Sequence, residues 1–287
     1  MKKAVNRIVL IIIAAVLVIA VIFGVALYRM YSDLNPDNPI VEPPVAPEPE
    51  TVPEPEPGAN EIMERFLDLY AQNEDLVGWV RVPNTPIDYP VLYCSDNAFY
   101  LKHDFNKRQS AAGAIFLDMG ADLVEKNQSL ALFGHYMKNG TMFTALHNYK
   151  DLDYYKTYPI FRFDSLYEDG VYKIFSVFYM AGNSSDKLFY YYPVSYFRSD
   201  DAFMKHVEQL NVRSIFNTDV DVVPGDRLVL LTCCTYEVKN LRLIVAGRKV
   251  RDGESFIVDT KGAQLNPNPL YPQKWYDAKG GSPPELP

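Results

Sequence analysis

Short runs of β-forming residues, separated by turn residues, constrain the fold of this chain more than any other feature. They are rich in Val, Ile, Leu, Phe and Tyr. The runs span residues 78–82, 87–93, 111–118, 129–136, 171–181, 227–236 and 241–250. Long helical patterns do not alternate with them, which disfavours a doubly wound parallel sheet. The pattern predicts a mainly β fold, as a closed barrel or a sandwich.

Two segments show apolar residues at helical spacing. The first spans residues 61–72 and the second residues 199–211, where Ser199 or Asp200 is a suitable N-cap. The second segment lies between two of the β runs. We therefore expect one helix before the β domain and one within a connection of it.

The N-terminal 30 residues predict a membrane anchor. Residues 8–28 carry no charge and would extend about 30 Å as a helix, enough to cross a bilayer. Lys2, Lys3 and Arg7 precede this stretch, which indicates a cytoplasmic N-terminus and an extracellular remainder. A cleaved signal peptide is the alternative, but its apolar region would be shorter. We expect a single-pass protein of the cell membrane, with residues 1–30 as a signal anchor.

Composition divides the rest of the chain into three parts. Residues 31–60 are rich in Pro and Glu and predict an extended extracellular linker. Residues 61–258 are long enough for one ordinary domain with a full core, and residues 259–287, rich in Pro and Gly, predict an irregular tail. The linker supplies much of the net charge of −8, and no basic surface indicates nucleic-acid binding.

The cysteines are the first indication of chemistry. The chain has three, Cys94, Cys233 and Cys234, too few for a disulfide framework. Neighbouring residues of a strand point to opposite faces, and a bridge between Cys233 and Cys234 would be strained. We therefore expect a free thiol in the run LVLLTCC.

A thiolate nucleophile needs a proton donor and a positive group nearby. Among four histidines, His135 stands out because it ends an apolar run before a glycine-containing turn. Arg242 begins an apolar run, where an arginine is costly unless it is paired or functional. Composition alone does not decide the role of either residue. His135 could be an ordinary loop residue, and Arg242 could be an edge-strand arginine whose side chain extends to water.

Three motifs in order make the chain resemble the sortases, in particular class B, over nearly all of residues 61–258. They are FGHYMKNGTMF around His135, LLTCCTYE around Cys234 and NLRLIV around Arg242. Upstream, NEDLVGWVRVPNTPIDYPVL, DNAFYLKHDF and GAIFLD resemble the N-terminal strands of the family. The helix predicted at 199–211 resembles the long connection that is typical of class B.

The resemblance implies an eight-stranded β-barrel with flanking helices and a cysteine transpeptidase activity. Such enzymes cleave a secreted protein at a C-terminal sorting signal, usually after Thr, through a thioacyl-enzyme. They then transfer the acyl group to an amine, most often of a peptidoglycan precursor. Carried over, Cys234 is the nucleophile, His135 the general acid/base, and Arg242 the oxyanion or substrate-backbone partner.

One position departs from the family pattern, which usually has Thr before the nucleophile. This chain reads Leu231-Thr232-Cys233-Cys234. Thiolate chemistry alone cannot choose between the two cysteines. Alignment on the following Thr-Tyr-Glu makes Cys234 the nucleophile, and strand alternation then turns Cys233 away from the cleft, where it packs as a small apolar residue.

Five further residues are candidates for substrate contact, each with a plainer alternative. Thr232 and Tyr236 flank the nucleophile, but both could serve strand packing. Glu237 could orient His135, pair with a basic residue or be an exposed carboxylate. Asn139 and Thr141 could shape the groove or only form the turn.

We expect no metal and no cofactor, since the sequence shows neither a zinc-ligand pattern nor a calcium-loop spacing. Two other functions remain open. One is a tethered cysteine peptidase that mainly hydrolyses its intermediate. The other is a non-catalytic surface binding module, which would leave the thiol, His135 and Arg242 without a role.

Overall fold

The computed structural model describes residues 61–121, 128–182 and 196–284. Its strands are β1 Leu76–Arg81, β2 Asp88–Leu92, β3 Ile115–Leu117, β4 Ser129–Gly134, β5 Ile160–Ser165, β6 Val171–Ala181, β7 Phe216–Asn217, β8 Leu228–Cys234, β9 Leu241–Lys249 and β10 Gln264–Leu265. Its α-helices are α1 Glu64–Gln72, α2 Leu152–Thr157, α3 Asp200–Asn211 and α4 Gln273–Lys279, with a 3₁₀ helix at Phe143–Lys150.

Eight strands close into a barrel in the order β1-β2-β3-β4-β8-β9-β6-β5, while β7 and β10 form a separate two-stranded sheet. The mainly β class and the eight-stranded barrel are therefore confirmed. The pairs β2–β3 and β4–β8 are parallel, and the other barrel pairs are antiparallel. Because β4 and β8 are parallel, their carboxyl ends lie at the same end of the barrel.

The apolar runs of β8 and β9 have no polar alternation because both of their faces are buried. One face belongs to the cluster that fills the barrel interior, including Leu231 and Val245. The other face packs under α3, where Leu230 and Ile244 share a cluster with Phe203. Cys234 and Arg242, the candidates on these strands, thus lie on a strand pair that is packed on both faces.

Both predicted helices are present. The first begins at Glu64 rather than at residue 61. The second, α3, begins at Asp200, and its predicted cap Ser199 accepts a hydrogen bond from the amide of Ala202. Strand β5, the 3₁₀ helix and α2 were not predicted from the sequence.

The predicted location in the cell membrane is contradicted. Within the three described ranges, no helix is both long and apolar enough to cross a membrane. The longest, α3, has 12 residues and extends only about 18 Å. Residues 8–28, on which the prediction depended, lie outside the described residues, as does the linker 31–60. We withdraw the prediction of location.

The C-terminal segment is more ordered than predicted. The predicted irregular tail contains β10, which pairs with β7, and helix α4. The amide of Leu270 donates to the Val212 carbonyl at 2.9 Å, and the Leu270 side chain is buried. Proline and glycine content misled the prediction, because buried contacts and hydrogen bonds to the domain order the segment despite its composition.

Replacing Leu270 with alanine should therefore destabilise the domain. A buried Leu→Ala change costs about 3 kcal/mol, which corresponds to a fall in Tm of roughly 6–12 °C for a domain of this size. Leu265→Ala is the matched control, since Leu265 lies in the same segment but is 63% exposed. Thermal melts of the two variants measure the change in Tm. Equal, small shifts in Tm would show that the segment does not contribute to stability.

Candidate active site

The carboxyl end of β8 presents the two cysteines to opposite sides of the sheet. Cys233 is fully buried in the barrel interior, whereas Cys234 is exposed. Burial raises the pKa of the Cys233 thiol, and the neighbouring Cys234 raises it further. A thiol held in its neutral form is a poor nucleophile. The alternation expected from the sequence is thus observed, with Cys234 as the accessible thiol.

Arg242 stands directly opposite Cys234 on the neighbouring antiparallel strand. The amide of Thr235 donates to the Leu241 carbonyl at 3.1 Å, so that pair is hydrogen-bonded. The preceding pair, Cys234 and Arg242, is therefore of the non-hydrogen-bonded type, in which the Cα atoms are only about 4.5 Å apart. Residues directly opposite share a face of the sheet, which directs the Arg242 side chain to the side of the exposed thiol.

The guanidinium of Arg242 is also oriented by an aromatic ring. Its central carbon lies 5.4 Å from the ring centroid of Phe133 on β4. Such a cation–π contact holds the planar group without consuming its N–H donors. Arg242 thus remains able to donate to a developing negative charge.

His135 is brought beside Cys234 by β4, which pairs with β8 in parallel. Gly134, the last residue of β4, pairs with Cys233, so His135 follows in register with Cys234. A Cβ atom at Gly134 would lie 2.5 Å from the Ile115 side chain and 2.7 Å from Phe143. Glycine is therefore required for β4 to end this close to its neighbours.

The imidazole of His135 is fixed by a backbone carbonyl. Its Nε2 lies 2.8 Å from the carbonyl oxygen of Leu101, and since a carbonyl only accepts, Nε2 carries a proton. Gly113 allows the chain to pass close to this Leu101 carbonyl. Its φ is +59°, and a Cβ there would lie 2.9 Å from the same Leu101 oxygen. The structure thus brings the three sequence-predicted catalytic side chains to one end of the barrel.

The five predicted substrate contacts are spread around this point. Thr232 is buried on β8, two residues before Cys234, whereas Tyr236 is 70% exposed. In the turn after His135, the Asn139 Oδ1 accepts from the Thr141 hydroxyl at 2.7 Å. That bond is a contact within the turn.

Glu237 is neither free nor directed at His135. It forms an ion pair with Lys150 and accepts from the Tyr179 hydroxyl at 2.7 Å. Burial alone would raise the pKa of Glu237, but the hydrogen bonds from Lys150 and Tyr179 hold it below its ordinary value. The carboxylate therefore links the β8–β9 loop to β6 and to the 3₁₀ helix.

The sequence did not predict a role for His147, which the structure places beside Cys234. Its Nε2 lies 3.0 Å from the carbonyl oxygen of Cys234, 87 residues away in the chain. Its ring packs edge-on against Tyr136 at 4.8 Å, and Tyr136 packs likewise against Tyr236 at 5.0 Å. The polar context ALHNYKD carries no signal for this contact, because it depends on the long-range approach of two elements.

The other cysteine and the other histidines lie elsewhere. The Cys94 thiol donates to the Asp96 carbonyl at 3.0 Å. His103 stacks on Phe99 at 4.1 Å. His206 packs against Phe197 at 5.0 Å, and burial lowers its pKa to about 4.

Comparisons with known proteins agree with the observed fold. The family model described as the sortase domain matches residues 80–250. Sortase B of Listeria monocytogenes is 30% identical over 192 residues, which cover 66% of this chain and 76% of that protein. Two solved structures superpose with TM-scores of 0.60, each covering 67% of this chain and 87% of the other: sortase B from Bacillus anthracis, 30% identical, and a Staphylococcus aureus sortase B–substrate complex, 27% identical. The family model matches more than half of the chain, and the chain therefore belongs to the sortase family of cysteine transpeptidases, as a member of class B.

Proposed function

We propose that this protein cleaves a partner protein at a C-terminal sorting signal, after a Thr residue, and transfers the new carboxyl end to an amine of a peptidoglycan precursor. Cys234 is the nucleophile, His135 the general acid/base and Arg242 the oxyanion partner. The observation that carries the proposal is the pairing of an exposed thiol with an arginine directly opposite, beside a histidine brought in by the parallel strand.

The first half of the reaction forms the thioacyl-enzyme. The Cys234 thiolate attacks the carbonyl carbon of the Thr residue, and the carbonyl oxygen becomes an oxyanion. Arg242 donates hydrogen bonds to that oxyanion. As the C–N bond breaks, His135 gives a proton to the leaving amine, which would otherwise be a poor leaving group.

The second half reverses these roles. An acceptor amine attacks the thioester carbon while His135 removes its proton, and the Cys234 thiolate leaves. Water can attack the same intermediate, and the product is then a free carboxylate. The balance between amine and water separates a transpeptidase from a peptidase that mainly hydrolyses.

Substrate contact is proposed for residues around the thiol. Tyr236 is 70% exposed, and its ring packs edge-on against Tyr136. Asn139 and Thr141 would border the groove through the turn that they form. Thr232 would act from below the surface, since it is buried, whereas Glu237 would act from the β8–β9 loop, where it is paired with Lys150.

The test uses a panel of quenched sorting-signal peptides, with and without an amine acceptor, and intact-mass detection of the enzyme. We expect cleavage after Thr, an adduct on the enzyme, and a product joined to the amine. Cleavage whose products are all hydrolysed, even at high amine concentration, would favour the peptidase. A non-catalytic binding module would give neither cleavage nor adduct with any peptide.

Arg242 should be sensitive even to a conservative change. Arg242→Ala should lower kcat/KM by about 10²–10³-fold, as expected for loss of an oxyanion donor. Arg242→Lys should recover only part of this, because an ammonium lacks the planar fork and its stacking on Phe133. Lys239→Ala, a change at an exposed residue of the adjacent β8–β9 loop, is the control for charge. Steady-state kinetics with a cleaved peptide measure the effect, and near-normal activity of Arg242→Ala would remove Arg242 from the mechanism.

A further inference from the structure

The 3₁₀ helix at Phe143–Lys150 is joined to both halves of the active site. It follows the His135 turn directly, and the amide of Phe143 donates to the His135 carbonyl at 3.1 Å. Its other end carries His147 and Lys150, which are three residues apart. In a 3₁₀ helix such residues lie above one another on the same side. Both side chains can therefore reach one target.

That target is the segment that follows the nucleophile. His147 bonds to the Cys234 carbonyl, and Lys150 pairs with Glu237 three residues further on. The Cys234–Arg242 pair is of the non-hydrogen-bonded type, so the Cys234 carbonyl is directed away from β9. His147 supplies a donor for a carbonyl that this neighbouring strand does not use.

The chemistry of His147 suits a fixed donor rather than a proton carrier. Burial lowers the pKa of His147 and the nearby Lys150 lowers it further, against the opposing effects of the Cys234 carbonyl and Glu237. The ring is therefore neutral at physiological pH, with its proton on Nε2 because a carbonyl must accept. The edge-on contact with Tyr136 restricts the orientation of the ring.

We propose that His147 is a positioning residue: it holds the last peptide of β8, and hence the Cys234 thiol, at a set distance from the loop that carries His135. The inference rests on the proposed function, because the thiol that His147 positions is the nucleophile of that reaction. The physical reason is that Cys234 is the last residue of its strand, beyond which the chain turns away. The Thr235 amide joins this peptide to β9 on one side, so His147 fixes its other side. An error of about 1 Å in a reacting group can lower a rate about 100-fold.

Three substitutions at one position separate positioning from packing. His147→Gln keeps an N–H donor at about the reach of Nε2, His147→Asn keeps an amide that is too short, and His147→Leu removes the donor. His206→Leu is the matched control. It removes a half-buried imidazole on α3 that packs against Phe197. All variants are made in the full chain with Cys94→Ser, so that alkylation reports on Cys234 while Cys233 stays buried.

Two readouts are measured for each variant: kcat and KM with a cleaved peptide, and the rate of Cys234 alkylation by iodoacetamide between pH 5 and 9. We expect His147→Leu and His147→Asn to lower kcat about fivefold to tenfold with KM changed less than about twofold, the size of one lost hydrogen bond. Their alkylation profiles should shift relative to the parent chain. His147→Gln should keep at least about half of the parent kcat and its profile, and His206→Leu should match the parent.

Equal losses in Gln, Asn and Leu would overturn the proposal, because they would indicate packing or imidazole chemistry instead. Parent-like kcat and alkylation in Asn and Leu would overturn it as well. If His147→Leu does not fold, the Gln and Asn pair decides alone. If the parent cleaves no peptide, the proposed function fails, while the alkylation profiles still test whether His147 positions the thiol.

Discussion

Cys234→Ala should abolish the thioacyl-enzyme and lower kcat/KM by about 10⁴-fold or more, the largest effect we expect from any single change. The reason is that no other described thiol is both on this edge of the barrel and accessible. Cys233 precedes it in the strand but is buried in the barrel interior. Its raised pKa keeps it protonated at physiological pH.

Cys233→Ala is the matched control, since it removes the adjacent thiol and leaves the exposed one in place. It should still form the adduct and keep kcat/KM within about threefold, with a modest loss of stability from the vacated volume. Intact mass after incubation with a cleaved peptide reads both variants. An adduct that persists in Cys234→Ala and disappears in Cys233→Ala would overturn the assignment of the nucleophile.

His135→Ala should give the second largest effect, a loss of about 10²–10⁴-fold in kcat/KM. The leaving amine then has no proton donor, while the thiol and Arg242 remain in place. Replacing His206 with alanine should have little effect on the rate, because that ring packs against Phe197 under α3. Substituting His147 should have the intermediate effect already described.

Single-turnover kinetics distinguish the roles. With His135→Ala, the rate of adduct formation should fall, and added amine should not restore it. If His135→Ala forms the adduct at the parent rate, His135 is not the acid of the first half-reaction. The histidine that then shows the largest loss would be the better candidate.

The sequence predicted most of the barrel because its strands carry local signals. Runs such as 227–236 and 241–250 have the apolar residues and lengths of buried strands, and they correspond to β8 and β9. Strand β5 was missed, since it holds charged residues: Arg162 and the buried Asp164 interrupt its apolar pattern. Helix α4 was missed because Pro and Gly surround it, and composition does not register the burial of Leu270.

The candidate site was predicted in part for the same reason. The His135, Cys234 and Arg242 motifs are short and lie in single runs, so they can be recognised without knowledge of the fold. The partners of these residues cannot. Leu101, which fixes the His135 ring, lies 34 residues away in the chain, and Lys150 lies 87 residues from Glu237.

The sequence by itself determined which residues are candidates for chemistry and which face of its strand each of these side chains takes. A side-chain period of two places Cys233 and Cys234 on opposite sides of one strand, whatever that strand pairs with. Which thiol is buried, and which histidine stands beside the other, was decided by tertiary structure. The parallel pairing of β4 with β8 brings His135 to Cys234, and the 3₁₀ helix brings His147 to the Cys234 carbonyl. Periodicity is a property of neighbours along the chain, whereas strand pairing and barrel closure depend on contacts between residues far apart in sequence.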